Sequence, residues 1–224
     1  MPGDPAYESY WARKELLIRS KPRFPVVRWW ETERLCEIER IYFEAVRGAS
    51  SLLDVGAGDL RIQRKLNAAG FAGEYHTQDI GLERSYTYSD LAAIRRSYGA
   101  ILCLDVLEHL TLQDGMALLG RLASLLEPDG VLVLQTGNAL YLPEPRAWDM
   151  THLHSYNGPD LWAYFTAQGF DATVYRIVLG PERRGPIDAA RFRIQAWVKE
   201  KILGCDYANN IAVIARKRKV SPSS

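Results

Sequence analysis

A strand-like run that ends in a glycine turn constrains this chain more than any other feature. Residues 52–55, which are apolar except for Asp54, lead into Gly56 and Gly58, and residues 60–69 are compatible with a helix. A strand, a glycine turn and a helix in this order expose backbone N–H groups at a helix N-terminus, where a ligand can lie against them. The run therefore predicts a ligand site at the carboxyl end of a buried strand.

An acidic residue further along indicates what kind of ligand this is. Residues 74–79 are typical of a second strand, and the strand ends in Asp79, at about the 20-residue distance where such folds place a carboxylate for a ribose hydroxyl. Dinucleotide sites have a third glycine that lets the backbone approach a pyrophosphate, but Arg61 stands there. Asp59 would also repel a diphosphate. Asp59 is tolerable for a ribose ligand that carries a cationic sulfonium and an amino acid.

Several segments resemble class I S-adenosylmethionine-dependent methyltransferases. Residues 53–58 resemble the first motif of that family, and Asp79 resembles its ribose-binding acid. Residues 101–110 look like the fourth-strand motif of the branch that includes the ubiquinone-type O-methyltransferases, and residues 126–133 look like the entry to the fifth strand. Residues 152–156, with Asp160, Leu161, Gly169 and Phe170, resemble the late segment of the family. The resemblance implies a Rossmann-like methyltransferase fold with S-adenosylmethionine as its cofactor.

The order of apolar strands and helical segments agrees with an α/β fold. We expect a doubly wound, mostly parallel seven-stranded sheet with helices on both faces, because strand-like and helix-like segments alternate along the chain. The third strand, near residues 86–88, should be abbreviated, and the family resemblance adds an antiparallel last strand. Residues 1–32 are expected to form an N-terminal helical cap or lid, residues 33–216 the methyltransferase domain, and residues 217–224 a basic, serine-containing tail.

Composition narrows the range of partners. The 224 residues carry a formal net charge of +1, which gives no overall attraction to nucleic acid or to an anionic membrane. No apolar run approaches the ~20 residues of a spanning helix. The three cysteines are odd in number and far apart, which is typical of thiols in a reducing cytoplasm. We therefore expect a cytoplasmic protein without a membrane span, acting on a small-molecule acceptor, with nucleic acid disfavoured and the oligomeric state open.

The cofactor residues should follow successive strands, because ligands in open α/β sheets lie at the carboxyl ends of strands near the topological switch point. Asp90 could either face the adenine or cap a helix that begins at Leu91. The predicted cofactor-binding residues are Asp54, Gly56, Gly58, Asp79, Ile80, Asp90, Leu91, Asp105 and Val106.

The acceptor chemistry is predicted from Asp105, Glu108 and His109, which share one face if the chain turns helically. His109 is the first candidate for a general base and His154 the second. Alternatively, Asp105, Glu108, His109 and His154 could hold a divalent metal, with His152 in place of His154 as a variant. A similar pattern binds metal in small-RNA 2′-O-methyltransferases. The predicted substrate-binding residues are Tyr10, Trp11, Trp148 and His152.

Three functions remain open at this point. The favoured one is O-methylation of a small molecule, such as a biosynthetic intermediate or a sugar or ring hydroxyl, with histidine-assisted deprotonation. The second is RNA 2′-O-methylation with a divalent metal, which the near-neutral charge and the lack of a basic RNA-binding module disfavour. The third is a non-catalytic S-adenosylmethionine-binding protein, which the intact glycine loop with Asp79 and His109 disfavours.

Overall fold

A seven-stranded sheet forms the centre of the computed structural model, which describes residues 9–81, 84–181 and 183–218. The strands lie in the order β1-β6-β7-β5-β4-β2-β3. Strand β7 is antiparallel to β5 and β6, and the other neighbours are parallel. This confirms the predicted mostly parallel sheet with an antiparallel last strand. The strands are β1 Val26–Trp29, β2 Ser51–Val55, β3 Glu74–Gln78, β4 Tyr98–Leu104, β5 Leu126–Gly137, β6 Phe170–Leu179 and β7 Asn210–Lys217.

Helices cover both faces of the sheet, which explains why the central strand β4 has apolar residues on both of its faces. Side chains alternate along a strand. The helices are α1 Tyr10–Ser20, α2 Glu37–Val46, α3 Arg61–Ala68, α4 Leu112–Leu125, α5 Gly158–Ala167 and α6 Pro186–Lys201. Ile101 and Cys103 of β4 join one core with α4 and α5, while Ala100 and Leu102 join another with α2 and α3.

The N-terminal segment differs from the expected helical cap. Helix α1 packs against α5, but β1 joins the sheet as an edge strand parallel to β6. Its four residues follow Pro25, include Arg28 and have one neighbouring strand, so they show no long apolar pattern. The predicted third strand at residues 86–88 forms only an isolated bridge between Gln78 and Tyr88, because the connection is too short for a full strand. The sheet therefore has seven strands because β1 joins it, and not because residues 86–88 form a strand.

The ends of the expected domains lie partly outside the described residues. These are residues 1–8 of the predicted cap and residues 219–224 of the predicted tail. The boundary between cap and catalytic domain near residue 32 stays a prediction. Within the described ranges, we find no helix with both the length and the hydropathy to cross a membrane.

Candidate active site

The glycine turn after β2 has the backbone that its sequence predicts. Gly56 and Gly58 both have left-handed φ angles, 73° and 48°. A Cβ on Gly56 would lie 2.2 Å from Cγ2 of Val106, so a larger residue cannot fit there. The N–H groups of Gly56 and Ala57 donate to the carbonyl of Gln78 at 2.8 and 3.1 Å. These bonds fix the turn against the end of β3.

Asp79 joins this turn to the chain that follows β3. Its Oδ2 accepts a hydrogen bond from the N–H of Gly58 at 2.8 Å, and its Oδ1 accepts one from the N–H of Gly81 at 2.8 Å. Tyr86 donates to the carbonyl of Gly58 at 2.7 Å. The carboxylate therefore lies directly beside the glycine turn, where the sequence predicted a ribose-binding acid, and each oxygen retains a lone pair for a ligand.

A cavity of about 130 Å³ opens beside the turn at the carboxyl ends of β2, β4 and β5. We call it the cofactor cleft. Four predicted cofactor residues line it, namely Asp54, Gly56, Gly58 and Asp105. The other main lining residues were not among the predicted cofactor residues. They are Trp29, Glu39, Tyr42, Ala57, Asp59, Arg61, Ile62, Leu104 and Gln135.

Two carboxylates of the cleft have raised pKa values. Asp54 is buried, and desolvation raises its pKa to about 7 although the hydroxyl of Tyr75 donates to it at 2.8 Å. Desolvation by the surrounding protein also raises the pKa of Asp105, even though part of that residue is exposed. Gln135 opposes this rise, because its Nε2 donates to both oxygens of Asp105 at 3.0 and 2.8 Å. Tyr42 donates to Oε1 of Gln135 at 2.6 Å and so orients the amide.

A third carboxylate of the cleft, Glu39, is neutralised. The Nζ of Lys65 lies 2.9 Å from both of its oxygens, and both side chains are buried. The N–H of Cys36 donates to Oε2 of Glu39 at 2.9 Å. This ion pair fastens α2 to α3 beneath the cleft.

The remaining predicted cofactor residues lie around the cleft rather than in its wall. Ile80 follows Asp79 and is 86% exposed. Asp90 accepts a hydrogen bond from the N–H of Ala92 at 2.8 Å, so it caps the short 3₁₀ helix Leu91–Ala93, as one of the two alternatives predicted. Leu91 packs partly against the core, and Val106 packs against Gly56. The cofactor-binding role of these four residues stays a prediction.

Glu108, His109 and His152 form a second group beyond β4. One candidate ligand atom from each lies within 4.8 Å of the others. Glu108 is buried and accepts a hydrogen bond from the hydroxyl of Thr136 at 2.8 Å. Burial, and secondarily the charge of Asp105, raises the pKa of Glu108 to about 7. Its backbone carbonyl accepts the N–H groups of residues 153 and 154, which brings that segment to the group.

Hydrogen bonds fix the tautomers of both histidines. The hydroxyl of Thr151 donates to Oδ1 of Asp149 at 2.7 Å, so its oxygen accepts the Nδ1–H of His109 at 2.9 Å. The Nδ1 of His152 lies 2.9 Å from the carbonyl of Pro145, which can only accept. In the neutral form, each ring therefore retains an unprotonated Nε2 that can accept a proton or bind a cation.

The structure does not assemble the predicted set of Asp105, Glu108, His109 and His154. Asp105 accepts a hydrogen bond from Gln135, and His154 packs against Tyr156 with ring centroids 4.8 Å apart. His154 instead lines a second cavity, of about 240 Å³, together with Tyr10. We call this the α1 cavity. His152 takes the place predicted for His154 because the carbonyl of Pro145 orients its ring toward His109.

The two predicted tryptophans are not among the residues that line either cavity. Trp11 on α1 is 77% exposed. Trp148 donates from Nε1 to the carbonyl of Pro143 at 3.1 Å, and its ring packs edge-on against Tyr141. Neither is among the main lining residues of the cofactor cleft or of the α1 cavity. Their predicted substrate-binding role stays a prediction.

The model of a family described as a methyltransferase domain matches residues 29–174 of this chain. The chain belongs to this methyltransferase-domain family. No curated protein sequence matches it. The predicted class, an S-adenosylmethionine-dependent methyltransferase, is confirmed at the level of family and fold. The ubiquinone-type branch stays a prediction.

Solved structures share the fold of this methyltransferase at low sequence identity. One is a SAM-dependent methyltransferase from Archaeoglobus fulgidus, with a TM-score of 0.59, 19% identity and coverage of 80% of this chain and 90% of that one. Another is an O-methyltransferase family protein from Burkholderia thailandensis, with a TM-score of 0.54, 10% identity and coverage of 82% and 57%. A plantazolicin methyltransferase, solved with a triazolic desmethylPZN analog and SAH, has a TM-score of 0.53, 13% identity and coverage of 81% and 84%.

Proposed function

We propose that this methyltransferase binds S-adenosylmethionine in the cofactor cleft and transfers its methyl group to a hydroxyl of a small molecule. The glycine turn and Asp79 would hold the ribose end of the cofactor. Desolvation raises the pKa values of Asp54 and Asp105, and neither carboxylate forms an ion pair with a described residue, which suits a ligand with a sulfonium and an ammonium group. The plantazolicin methyltransferase, solved with a triazolic desmethylPZN analog, is a precedent for a ring-bearing ligand on this fold.

The observation that carries the hydroxyl assignment is the hydrogen-bond chain from Asp149 through Thr151 to His109. Because Thr151 donates to Asp149, it holds the Nδ1–H of His109 and leaves Nε2 without a proton. A hydroxyl acceptor must lose its proton as the methyl group arrives, and a neutral imidazole is suited to take it near pH 7. Asp149, whose pKa hydrogen bonds from Thr151 lower, would stabilise the imidazolium that forms.

We place the acceptor between this group and the α1 cavity. His152 belongs to the histidine group and His154 lines the α1 cavity, and two residues of extended chain span only about 7 Å. Tyr10, Tyr156 and Tyr164 also line that cavity. Its aromatic walls favour an acceptor with a ring or another apolar body.

A divalent cation is the second form that this chemistry could take. The two imidazoles and the carboxylate of Glu108 are a donor set that fits such an ion, and each histidine already has its Nδ1 bonded to a neighbour, as is usual for ligating histidines. Glu108, His109 and His152 would hold the ion. When bound, it would lower the pKa of an acceptor hydroxyl.

The test is turnover of His109→Gln, which preserves the size of the side chain and removes its basicity. With a hydroxyl acceptor found by screening for S-adenosylhomocysteine release, we expect a rate about 10²–10⁴ below the parent, and unchanged affinity for S-adenosylhomocysteine. The matched control is His76→Gln, since His76 hydrogen-bonds Tyr98 at the base of the sheet and should leave the rate unaffected.

Chelation distinguishes the histidine general base from the divalent-cation site. Parental activity that persists after exhaustive chelation would support the general base and reject the cation. Activity that disappears and returns with a divalent ion would support the cation site. A parental rate in His109→Gln would contradict both forms.

A further inference from the structure

The charges that line the cofactor cleft are almost all negative. Asp54, Asp59 and Asp105 line it, and Glu39 lines it while paired with Lys65. Among the described residues that line the cleft, Arg61 alone is cationic. S-adenosylmethionine carries two cationic groups, the sulfonium and the α-ammonium, and one anion, the α-carboxylate. The acidic wall attracts the first two and repels the third.

Arg61 is held at the edge of the cleft by its neighbours. Its guanidinium carbon lies 5.7 Å from the ring centroid of Trp29, which β1 brings to the cleft. Its backbone N–H donates to Oδ1 of Asp59 at 2.9 Å at the start of α3. The charge of Arg61 also acts on Asp105 and partly opposes the rise in the pKa of that carboxyl. The side chain is exposed and forms no ion pair with any residue in the described part of the chain.

We propose that Arg61, stacked on Trp29, binds the α-carboxylate of the amino-acid end of S-adenosylmethionine. This inference rests on the proposed placement of the cofactor in the cleft. Asp79 and the glycine turn would hold the ribose end, Asp54 and Asp105 line the cleft, and Arg61 lies beside Trp29. A guanidinium can contact both oxygens of a carboxylate at once.

The role of Trp29 in this arrangement is to order the guanidinium before the ligand arrives. A cation over an aromatic face is attracted to it, and an arginine that is already ordered loses less side-chain entropy on binding. The edge strand β1 thereby has a function at the cofactor site. Arg61 is a positioning and specificity residue for the amino-acid end and takes no part in methyl transfer itself.

The experiment compares two ligands on the full chain by calorimetry. The first is S-adenosylhomocysteine, and the second is S-adenosyl-3-thiopropylamine, which differs only in lacking the α-carboxylate. We expect Arg61→Gln to weaken the first ligand about ten- to a hundredfold and to change the second less than about twofold. Trp29→Leu should weaken the first ligand about two- to fivefold.

Arg64→Gln is the matched control, because Arg64 lies on the same helix and its Nη1 donates to the carbonyl of Asp59 at 2.8 Å. It should bind both ligands as the parent does. Equal losses for both ligands in Arg61→Gln, or no loss for either, would overturn the assignment of Arg61 while leaving the cofactor cleft intact. A parent that binds neither ligand would overturn the cofactor cleft itself.

Discussion

Two buried carboxylates border the cofactor cleft, and they differ in how their charge is balanced. Glu39 on α2 meets the ammonium of Lys65 at 2.9 Å and also accepts the N–H of Cys36. Asp54 at the end of β2 receives one neutral hydroxyl hydrogen bond, from Tyr75, and its pKa rises to about 7. The nearby charge of Asp79 raises it further.

The difference separates a carboxylate that stabilises the fold from one that awaits a ligand. A buried charge costs free energy unless a partner compensates it. Lys65 is that partner for Glu39. For Asp54, we infer that the cationic end of S-adenosylmethionine is the partner. The free energy that the unpaired buried carboxylate costs in the free protein is then recovered when the ligand binds.

The largest effect is expected when the internal partner of Glu39 is removed. Lys65→Met keeps the length of the side chain but leaves Glu39 buried without its cation, so we expect the free energy of unfolding to fall by about 3–5 kcal/mol. Urea denaturation at pH 7 measures it. Arg64→Met, an exposed neighbour on the same helix, should change stability by less than about 0.5 kcal/mol. A loss equally small for Lys65→Met would show that Glu39 does not depend on this ion pair.

A somewhat smaller effect is expected at Asp54, and it should depend on pH. The folded pKa, about 7, lies above the unfolded value, so between about pH 4 and pH 7 the folded state binds more protons than the unfolded state. Stability must then fall as the pH rises through this window and level off above it, by up to about 4 kcal/mol in total.

Asp54→Asn should remove this component of the pH dependence, because the amide oxygen still accepts from Tyr75 and carries no charge. Denaturation curves from pH 4 to pH 8 measure the slope. Asp171→Asn, at an exposed position of β6, is the control and should retain the parental slope. If stability depends on pH in Asp54→Asn as it does in the parent, Asp54 is ionised in the folded protein at little cost. It would then not be a buried charge without a partner.

The parts of the site that sequence analysis found are those encoded by contiguous residues. Gly56, Gly58 and Asp54 follow from one turn, and Asp79 follows from its distance to that turn. Trp29 and Gln135 were not assigned to the site because they come from an edge strand and a separate strand end, whereas Arg61 follows the turn but indicated only that a third glycine is absent. Only the three-dimensional fold brings these segments to one cleft.

The choice between His152 and His154 shows the same limit. Both histidines lie in one short segment, and the motif alone does not say which ring turns toward His109. The carbonyl of Pro145 and the ring of Tyr156 decide it, and both contacts depend on the path of the chain after β5. The seventh strand was assigned to the wrong segment for a related reason, since pairing with β6 rather than local pattern makes residues 26–29 a strand.

The central claim is that the cofactor cleft binds S-adenosylmethionine with Asp79 on its ribose, and calorimetry with S-adenosylhomocysteine tests it most directly. The parent should bind one ligand per chain. Asp79→Ala should lose roughly 1.5–3 kcal/mol, or about ten- to a hundredfold in affinity, and Asp171→Ala should bind as the parent does. Absence of binding by the parent, or parental affinity in Asp79→Ala, would contradict the account.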